Sequence, residues 1–271
     1  MAEPREDLDL HTDRAHGARI YDYVLGGKDN YTLDREAAEA AMRAWPGLRT
    51  SMRSNRAFMQ RVGRFLAGEC GIRQFLDIGT GIPTSPNLHE VVQETAPDAR
   101  IVYTDNDPIV LAHARALMAS TPQGRTAYVH ADLRDPAAIL AAPQLRAALD
   151  LDRPVALLAI AVLHFIADDD EARTVLGKLV EALPSGSYLA VSTGTADFDP
   201  EPLAGVVRAY EANGEVMKLR NHAQVERFFD GLELLEPGVV QAHKWRPDGI
   251  ARGLVKKDTD VAMYAGVARK P

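Results

Sequence analysis

Cysteine is nearly absent: Cys70 stands alone among 271 residues, so no internal disulfide can form, and no CxxC or Cys/His cluster offers thiolate ligands to a metal. A reducing, cytoplasmic setting and no metal site are expected. Basic charge is also scarce. Lys and Arg number 31 against 38 Asp and Glu, a formal net charge of −7, which excludes a whole-surface basic footprint for duplex nucleic acid and argues against a nucleic-acid partner. No apolar run is long enough for a membrane. The longest, residues 155–167, is interrupted by His164 and falls short of the roughly 20 residues of a span. Residues 1–14 carry Glu, Asp and Arg where a secretory signal would be apolar, so neither export nor membrane association is expected. Internal repeats and low-complexity segments are missing too. The composition is that of a globular chain, 46% hydrophobic and 25% charged, enough to bury a core.

From about residue 72, short apolar runs alternate with helical patterns. Residues 74–78, 100–104, 126–130, 155–163 and 187–193 read as strands, nearly continuous in aliphatic residues as strands buried on both faces are. Three dipeptides, Ser85-Pro86, Asp107-Pro108 and Asp135-Pro136, place a side-chain oxygen at a helix N-cap and proline at the first helical position. Strand, helix, strand with short connections implies a parallel sheet with helices on both faces. Helices are expected over 201–215 and 221–229, the second opening with a capping-box-like Asn221-x-x-Gln224. Residues 232–240 and 261–268, joined by a loop with Trp245, Pro247 and Gly249, read as two strands with no helix between them, so one is expected to be antiparallel. The first seventy residues differ. A weakly periodic segment, 18–30, precedes helices over 33–45 and 54–66, the latter with Phe58, Val62, Phe65 and Leu66 on one stripe. Between Arg43 and Gly68 there are six arginines (43, 49, 53, 56, 61, 64) and no acid. The plain expectation is a solvated helix face; the sharper one is that one or two line an anion site.

The chemistry gathers at strand ends. The first strand ends in Asp77-Ile78-Gly79-Thr80-Gly81-Ile82-Pro83, where glycines let backbone approach a ligand at the carboxyl end of a strand. The second ends in Asp105-Asn106-Asp107-Pro108 and the third in Ala131-Asp132-Leu133. Asp77, Asp105 and Asp132 are spaced by 28 and 27 residues, about one βα unit each, which puts all three on one sheet edge. A carboxylate like Asp105 can accept from two ribose hydroxyls, and Asp132 from an exocyclic amine. Asp107 reads more as an N-cap, and Asp77 could serve only the loop backbone. An adenosine-bearing ligand follows, either a dinucleotide or S-adenosylmethionine. Dinucleotide binding wants a third glycine where Thr84 stands, and Asp77 beside the loop tolerates a sulfonium better than a pyrophosphate.

These motifs resemble the signatures of class I S-adenosylmethionine-dependent methyltransferases. More narrowly, the stretch from Arg19 to Tyr31 (RIYDYVLGGKDNY), the NRAF of Asn55 to Phe58 and the DIGTGIPT of Asp77 to Thr84 resemble a bacterial family of S-adenosyl methyltransferases of unestablished substrate. The resemblance implies an α/β, Rossmann-like, doubly wound fold: a mostly parallel seven-stranded sheet with an antiparallel terminal strand, preceded by an N-terminal helical segment. It implies a cofactor site of Gly79, Thr80 and Gly81 for the methionine end, Asp105 and Asn106 for ribose and adenine, and Asp132 with Leu133 for the adenine amine and ring, with Asp77 beside the loop. No NPPY or DPPY motif of amino-methylating nucleic-acid enzymes is present. The fourth strand instead ends Ala161-Val162-Leu163-His164-Phe165, closer to small-molecule enzymes, and His164 is the candidate base, or else simply the end of a buried strand.

We therefore divide the chain into an N-terminal helical cap or lid, 1–70, and a methyltransferase domain, 71–271. Tyr21, Tyr23 and Tyr31 are expected to offer aromatic faces to acceptor or sulfonium, with Tyr23 counted among catalytic candidates, and Arg19 or Arg56 to pair with the methionine carboxylate. The expected reaction is O- or N-methylation of a small molecule by S-adenosylmethionine. The competing readings are a cofactor-binding regulatory module without turnover and a nicotinamide-dependent oxidoreductase. The oligomeric state and the acceptor stay open.

Overall fold

A computed structural model describes residues 12–117, 120–249, 253 and 255–271. Most of the charged stretch read at residues 1–14 lies outside the described residues. Five strands, β1 (Gln74–Ile78), β2 (Arg100–Asp105), β3 (Arg125–His130), β4 (Ala156–Ile160) and β5 (Tyr188–Gly194), run parallel in the order β3-β2-β1-β4-β5. Three more complete the sheet: β6 (Glu233–Leu234), β7 (Val240–Gln241) and β8 (Met263–Arg269). The last is antiparallel to β5, and its far side carries β6 and β7. The sheet is thus seven positions wide. Residues 232–240, expected as one strand, form two short pieces, because Pro237 between them has no N–H to donate to the ladder.

Both faces are covered, as the unbroken apolar runs require. Leu76, Ile78 and Val102 pack with Leu176 and Leu179 of the helix Asp169–Glu181, while their neighbours Phe75, Ile101 and Tyr103 pack on Phe58, Val62 and Leu66. Alternation along each strand sends successive side chains to opposite faces. The first three helices are α1 (Gly17–Leu25), α2 (Thr32–Ala44) and α3 (Leu48–Gly68). Although α3 falls within the 1–70 segment, its stripe lies against the sheet. The smaller cluster above the carboxyl edge joins α1, α2 and the first turns of α3 to Leu203, Val206 and Tyr210 of α9 (Pro200–Glu211), with α4 to α8 in between being Leu88–Thr95, Pro108–Leu117, Pro136–Ala141, Pro143–Ala148 and Asp169–Glu181.

Two local expectations are corrected. The helix after the glycine loop does not start at Ser85-Pro86: Asn87 is its N-cap, in a capping box with Glu90. The fourth strand stops at Ile160 instead of running to 163, since Ala161 turns to φ 56° and residues Leu163–Phe165 form a 3-10 turn. Trp245 lies in the connection expected for it, between β7 and β8, but not at the surface. It is fully buried, with Phe58 and Phe65 edge-on at 5.4 and 5.7 Å. Arg61 secures it, donating through Nε to Trp245 O at 3.0 Å and through Nη2 to Ala242 O at 2.7 Å. That arginine is therefore structural, its charge spent on two buried carbonyls.

Candidate functional site

β1 meets β4 where the chain's strand order reverses, the crevice where open α/β sheets bind ligands. Gly79 and Gly81 both take left-handed conformations, φ 70° and 69°. At Gly79 a β-carbon would also lie 2.4 Å from the Val162 side chain, so conformation and space both require glycine. The loop is hooked to its neighbour strand: Gly79 N–H donates to Thr104 O at 2.8 Å and Thr80 N–H at 3.2 Å. Asp105 completes the attachment, accepting Gly81 N–H at 2.7 Å on Oδ2 and Asp107 N–H at 3.0 Å on Oδ1. Asp77 is buried below the loop, and desolvation lifts its pKa to about 7 against the opposing pull of the Arg56 charge.

The next two strand ends lie alongside. Asn106 Nδ2 donates to Asp132 Oδ2 at 3.3 Å, and Asp132 Oδ1 accepts Arg134 N–H at 2.8 Å beside the buried Leu133. Asp107 caps α5, accepting Ile109 N–H at 2.9 Å, while its other oxygen lies 3.2 Å from His16 Nδ1 and 3.7 Å from Arg19 Nε. All of Asp77, Gly79, Thr80, Gly81, Asp105, Asn106, Asp132, Leu133, Arg56 and His164 line one cavity of about 410 Å³. That is within the range of small-molecule sites.

The N-terminal candidates divide. Tyr21 lines the cavity, its hydroxyl donating to Met52 O at 3.0 Å and accepting from Asn55 Nδ2 at 3.1 Å, with Asn55 Oδ1 accepting from Ser192 Oγ at 2.6 Å. Arg56 lines it too, but one guanidinium nitrogen is committed to the carbonyls of Thr84 and Pro86. Three others are placed elsewhere. Arg19 is buried behind the wall, 3.5 Å from Asp34 and stacked 5.5 Å from the Tyr31 ring, so it joins helices instead of facing the cavity. Tyr23 donates to Glu39 Oε1 at 2.9 Å on the outer side of α1, and Tyr31 is 37% exposed. Neither reaches the cavity.

Of the two expectations for His164, a base or the end of a buried strand, its surroundings fit the second better. Gly194 N–H points at its Nδ1 from 3.4 Å, and a backbone N–H can only donate, so Nδ1 holds the lone pair and Nε2 the proton. The lone pair thus faces the protein. Burial, aided by the Arg220 charge, drives the pKa down to about 3 and keeps the ring neutral. The turn bearing it is held by Arg220, which donates to Leu163 O at 2.8 Å and Ile166 O at 2.7 Å and meets Asp169 at 2.9 Å. Sequence reasoning missed the apolar part of the cavity wall: Trp45, Met52, Leu203, Tyr210 and Leu219 all line it. Only Leu203 and Tyr210 lie on α9, which the sequence announced as a helix without showing what it faces.

Among the described residues no helix is long and apolar enough to cross a membrane, and no group of three His, Cys, Asp or Glu could hold a metal. The surroundings do suit S-adenosylmethionine: left-handed glycines leave space where a side chain would stand, and carboxylates end the second and third strands. Comparison with known proteins agrees. A DUF574 family protein from Streptomyces avermitilis MA-4680 is 58% identical over 97% of this chain and 100% of its own, with a TM-score of 0.94. A Thermobifida fusca YX protein, provisionally described as a methyltransferase, is 40% identical over 99% of both chains, with a TM-score of 0.88. An O-methyltransferase family 2 protein from Planctomyces limnophilus DSM 3776 shares the fold at 16% identity over 88% of this chain and 66% of its own, with a TM-score of 0.50. No curated protein matches. The model of the family described as S-adenosyl methyltransferase matches residues 2–271, nearly every residue whose geometry has just been given; the chain belongs to that family, and S-adenosylmethionine is its cofactor.

Proposed function

We propose that the protein transfers a methyl group from S-adenosylmethionine to an oxygen or nitrogen of a small molecule held beneath the N-terminal helices. One observation carries this reading: a single cavity joins the glycine loop and acidic strand ends to an apolar chamber roofed by α1, α3 and α9. When bound, the cofactor supplies a methyl on a sulfonium, a leaving group that needs no further activation. The protein's share is then mainly to align the partners, an effect of up to about 7–11 kcal/mol for ideal orientation. Asp105 and Asn106 would serve ribose and adenine, Asp132 and Leu133 the adenine amine and ring, and Gly79 to Gly81 the methionine end. The described part of the segment before α3, residues 12–47, serves as a cap that excludes water from the transfer site. A cytoplasmic setting belongs to this proposal, supported by the free thiol of Cys70.

The test is release of S-adenosylhomocysteine when the protein is given S-adenosylmethionine and a panel of phenols, enols and amines. Acceptor-dependent release is expected. Tight cofactor binding without release across the panel would favour a binding module, and preferential retention of a nicotinamide cofactor an oxidoreductase.

A further inference from the structure

The cavity wall has two chemistries. At the sheet edge it is polar and suits the cofactor. Beyond the turn at Ala161 it is made of Trp45, Met52, Leu203, Val206, Tyr210 and Leu219, residues of the cap cluster or packed against it. These are not exposed hydrophobics: Trp45 is 4% and Tyr210 2% accessible. A charged group entering this end would exchange water for an apolar wall, because Arg56, Arg134 and His16 are held toward the glycine loop and the strand ends. Arg56 is held by two loop carbonyls, Arg134 donates to Phe165 O at 2.7 Å, and His16 faces Asp107 at 3.2 Å. Arg14 and Glu215 also line the cavity; the Glu215 carboxylate is close enough to Tyr210 to act on its hydroxyl, but it faces the positive side chains of Arg14 and Arg19 and takes Gly17 N–H. An unpaired charge in such surroundings is strongly disfavoured.

Among the polar groups of this wall that have no protein partner, beside the Tyr210 hydroxyl and the Trp45 indole N–H, one is an imidazole nitrogen. His164 is 7% exposed and lines the cavity, and its Nδ1 is occupied by Gly194 N–H. Among the described residues nothing bonds Nε2. Tyr21, Asn55 and Ser192, by contrast, satisfy one another in a closed chain ending on Met52 O. The chamber therefore presents few unpaired donors on a largely apolar surface: the Nε2–H of His164, with the Tyr210 hydroxyl and the Trp45 indole N–H in the wall around it.

We infer that the acceptor subsite selects a neutral, predominantly apolar small molecule with a carbonyl or similar hydrogen-bond-accepting atom, which the Nε2–H of His164 receives. This deepens the methyltransferase reading and rests on it. His164 is a specificity-determining donor. Taking a proton at Nδ1 would set N–H against the N–H of Gly194, so the ring stays a neutral donor across the physiological range. A buried donor left unpaired is costly, so a molecule lacking the accepting atom is rejected even when its shape is right.

Equilibrium dialysis of the full chain, saturated with S-adenosylhomocysteine, tests this with four probes of one shape: 2-acetylnaphthalene, 2-ethylnaphthalene, 2-naphthoate and 2-naphthylmethylamine. We expect the ketone to bind about tenfold tighter than the ethyl compound, and both ions to bind at least tenfold more weakly than the ketone. The preference for ketone should be constant from pH 6 to 8, vanish in His164→Leu, and return in His164→Gln, whose amide offers a donor and can still accept Gly194 N–H. Equal binding of ketone and ethyl compound by the unaltered protein, a preference for either ion, or a ketone preference that survives His164→Leu overturns the inference. Failure of all four to bind while S-adenosylhomocysteine does overturns it also and leaves the cofactor reading intact. Failure of S-adenosylhomocysteine itself to bind overturns the reading beneath it.

Discussion

Asp105 holds the glycine loop to the second strand through Gly81, whose N–H reaches its Oδ2 at 2.7 Å. A carboxylate with one backbone donor on each oxygen keeps lone pairs for ribose hydroxyls. Asp105→Ala therefore removes both a ligand contact and a loop anchor. The expected loss of S-adenosylhomocysteine affinity is about 1.5–3 kcal/mol, tenfold or more. Calorimetry returning an unchanged affinity for the folded variant would take Asp105 out of the site.

The two loop glycines should respond differently. Alanine at either carries the left-handed cost of about 1–2 kcal/mol. At Gly81 the nearest obstacle to a β-carbon is Ala18 Cβ at 3.9 Å, whereas at Gly79 Val162 stands at 2.4 Å. Denaturant titration should show Gly79→Ala clearly less stable than Gly81→Ala; equal losses would contradict this packing.

Arg220→Leu leaves the carbonyls of Leu163 and Ile166 without their buried donor and removes the ion pair of Asp169, whose other oxygen still accepts from Gln224 Nε2. Breaking a buried charged network by removing one partner costs about 3–5 kcal/mol. A shift well below this in urea midpoint, at unchanged slope, would show the turn to be held by packing alone.

Asp77 gives stability a pH dependence of unusual sign. Its pKa is raised to about 7 in the fold, against about 3.9 for a free carboxyl, so the native state holds the extra proton between those values. This contribution is fully present below pH 4 and is lost as pH rises through 7. Asp77→Asn should flatten that part of the stability profile. A positively charged ligand near the loop would favour the ionised form, so S-adenosylmethionine should gain on S-adenosylhomocysteine from pH 6 to 8 in the unaltered protein but not in the variant.

Tyr23→Phe should change neither cofactor affinity nor any methyl transfer beyond about twofold, since the hydroxyl serves only the Glu39 carboxylate. A large loss of turnover with intact binding would restore its catalytic candidacy.

What the sequence made legible was local. The strand ends carrying Asp77, Asp105 and Asp132 recur at the βα period, and neighbouring parallel strands in one sheet must bring such ends together. What it hid depends on direction. Tyr21 and Tyr23 are two apart on α1, so they leave the helix on different faces, and only one enters the cavity. Arg19 and Arg56 both sit in recognisable motifs, yet which carboxylate or carbonyl each meets is decided by segments 15 to 88 residues away. His164 presents the same difficulty at atomic scale: whether its lone pair faces ligand or protein is set by Gly194, 30 residues on. The apolar wall was least visible, since Trp45 and Tyr210 look like any core residues until the chain is closed.

That closure comes late. Ser51 at the start of α3 accepts the N–H of Ala262, 211 residues on and nine from the end of the sequence, and Ala262 is itself part of the cap cluster. On a ribosome, Trp45, Leu48 and Met52 emerge first and wait for α9, and then for Ala262, before their cover is complete. Long-range closure of this kind is slow and leaves apolar surface open meanwhile. A nascent chain interrupted before β8 would carry most of the sheet-edge loop sequences with an incompletely covered chamber, a form that quality-control proteases and chaperones should recognise.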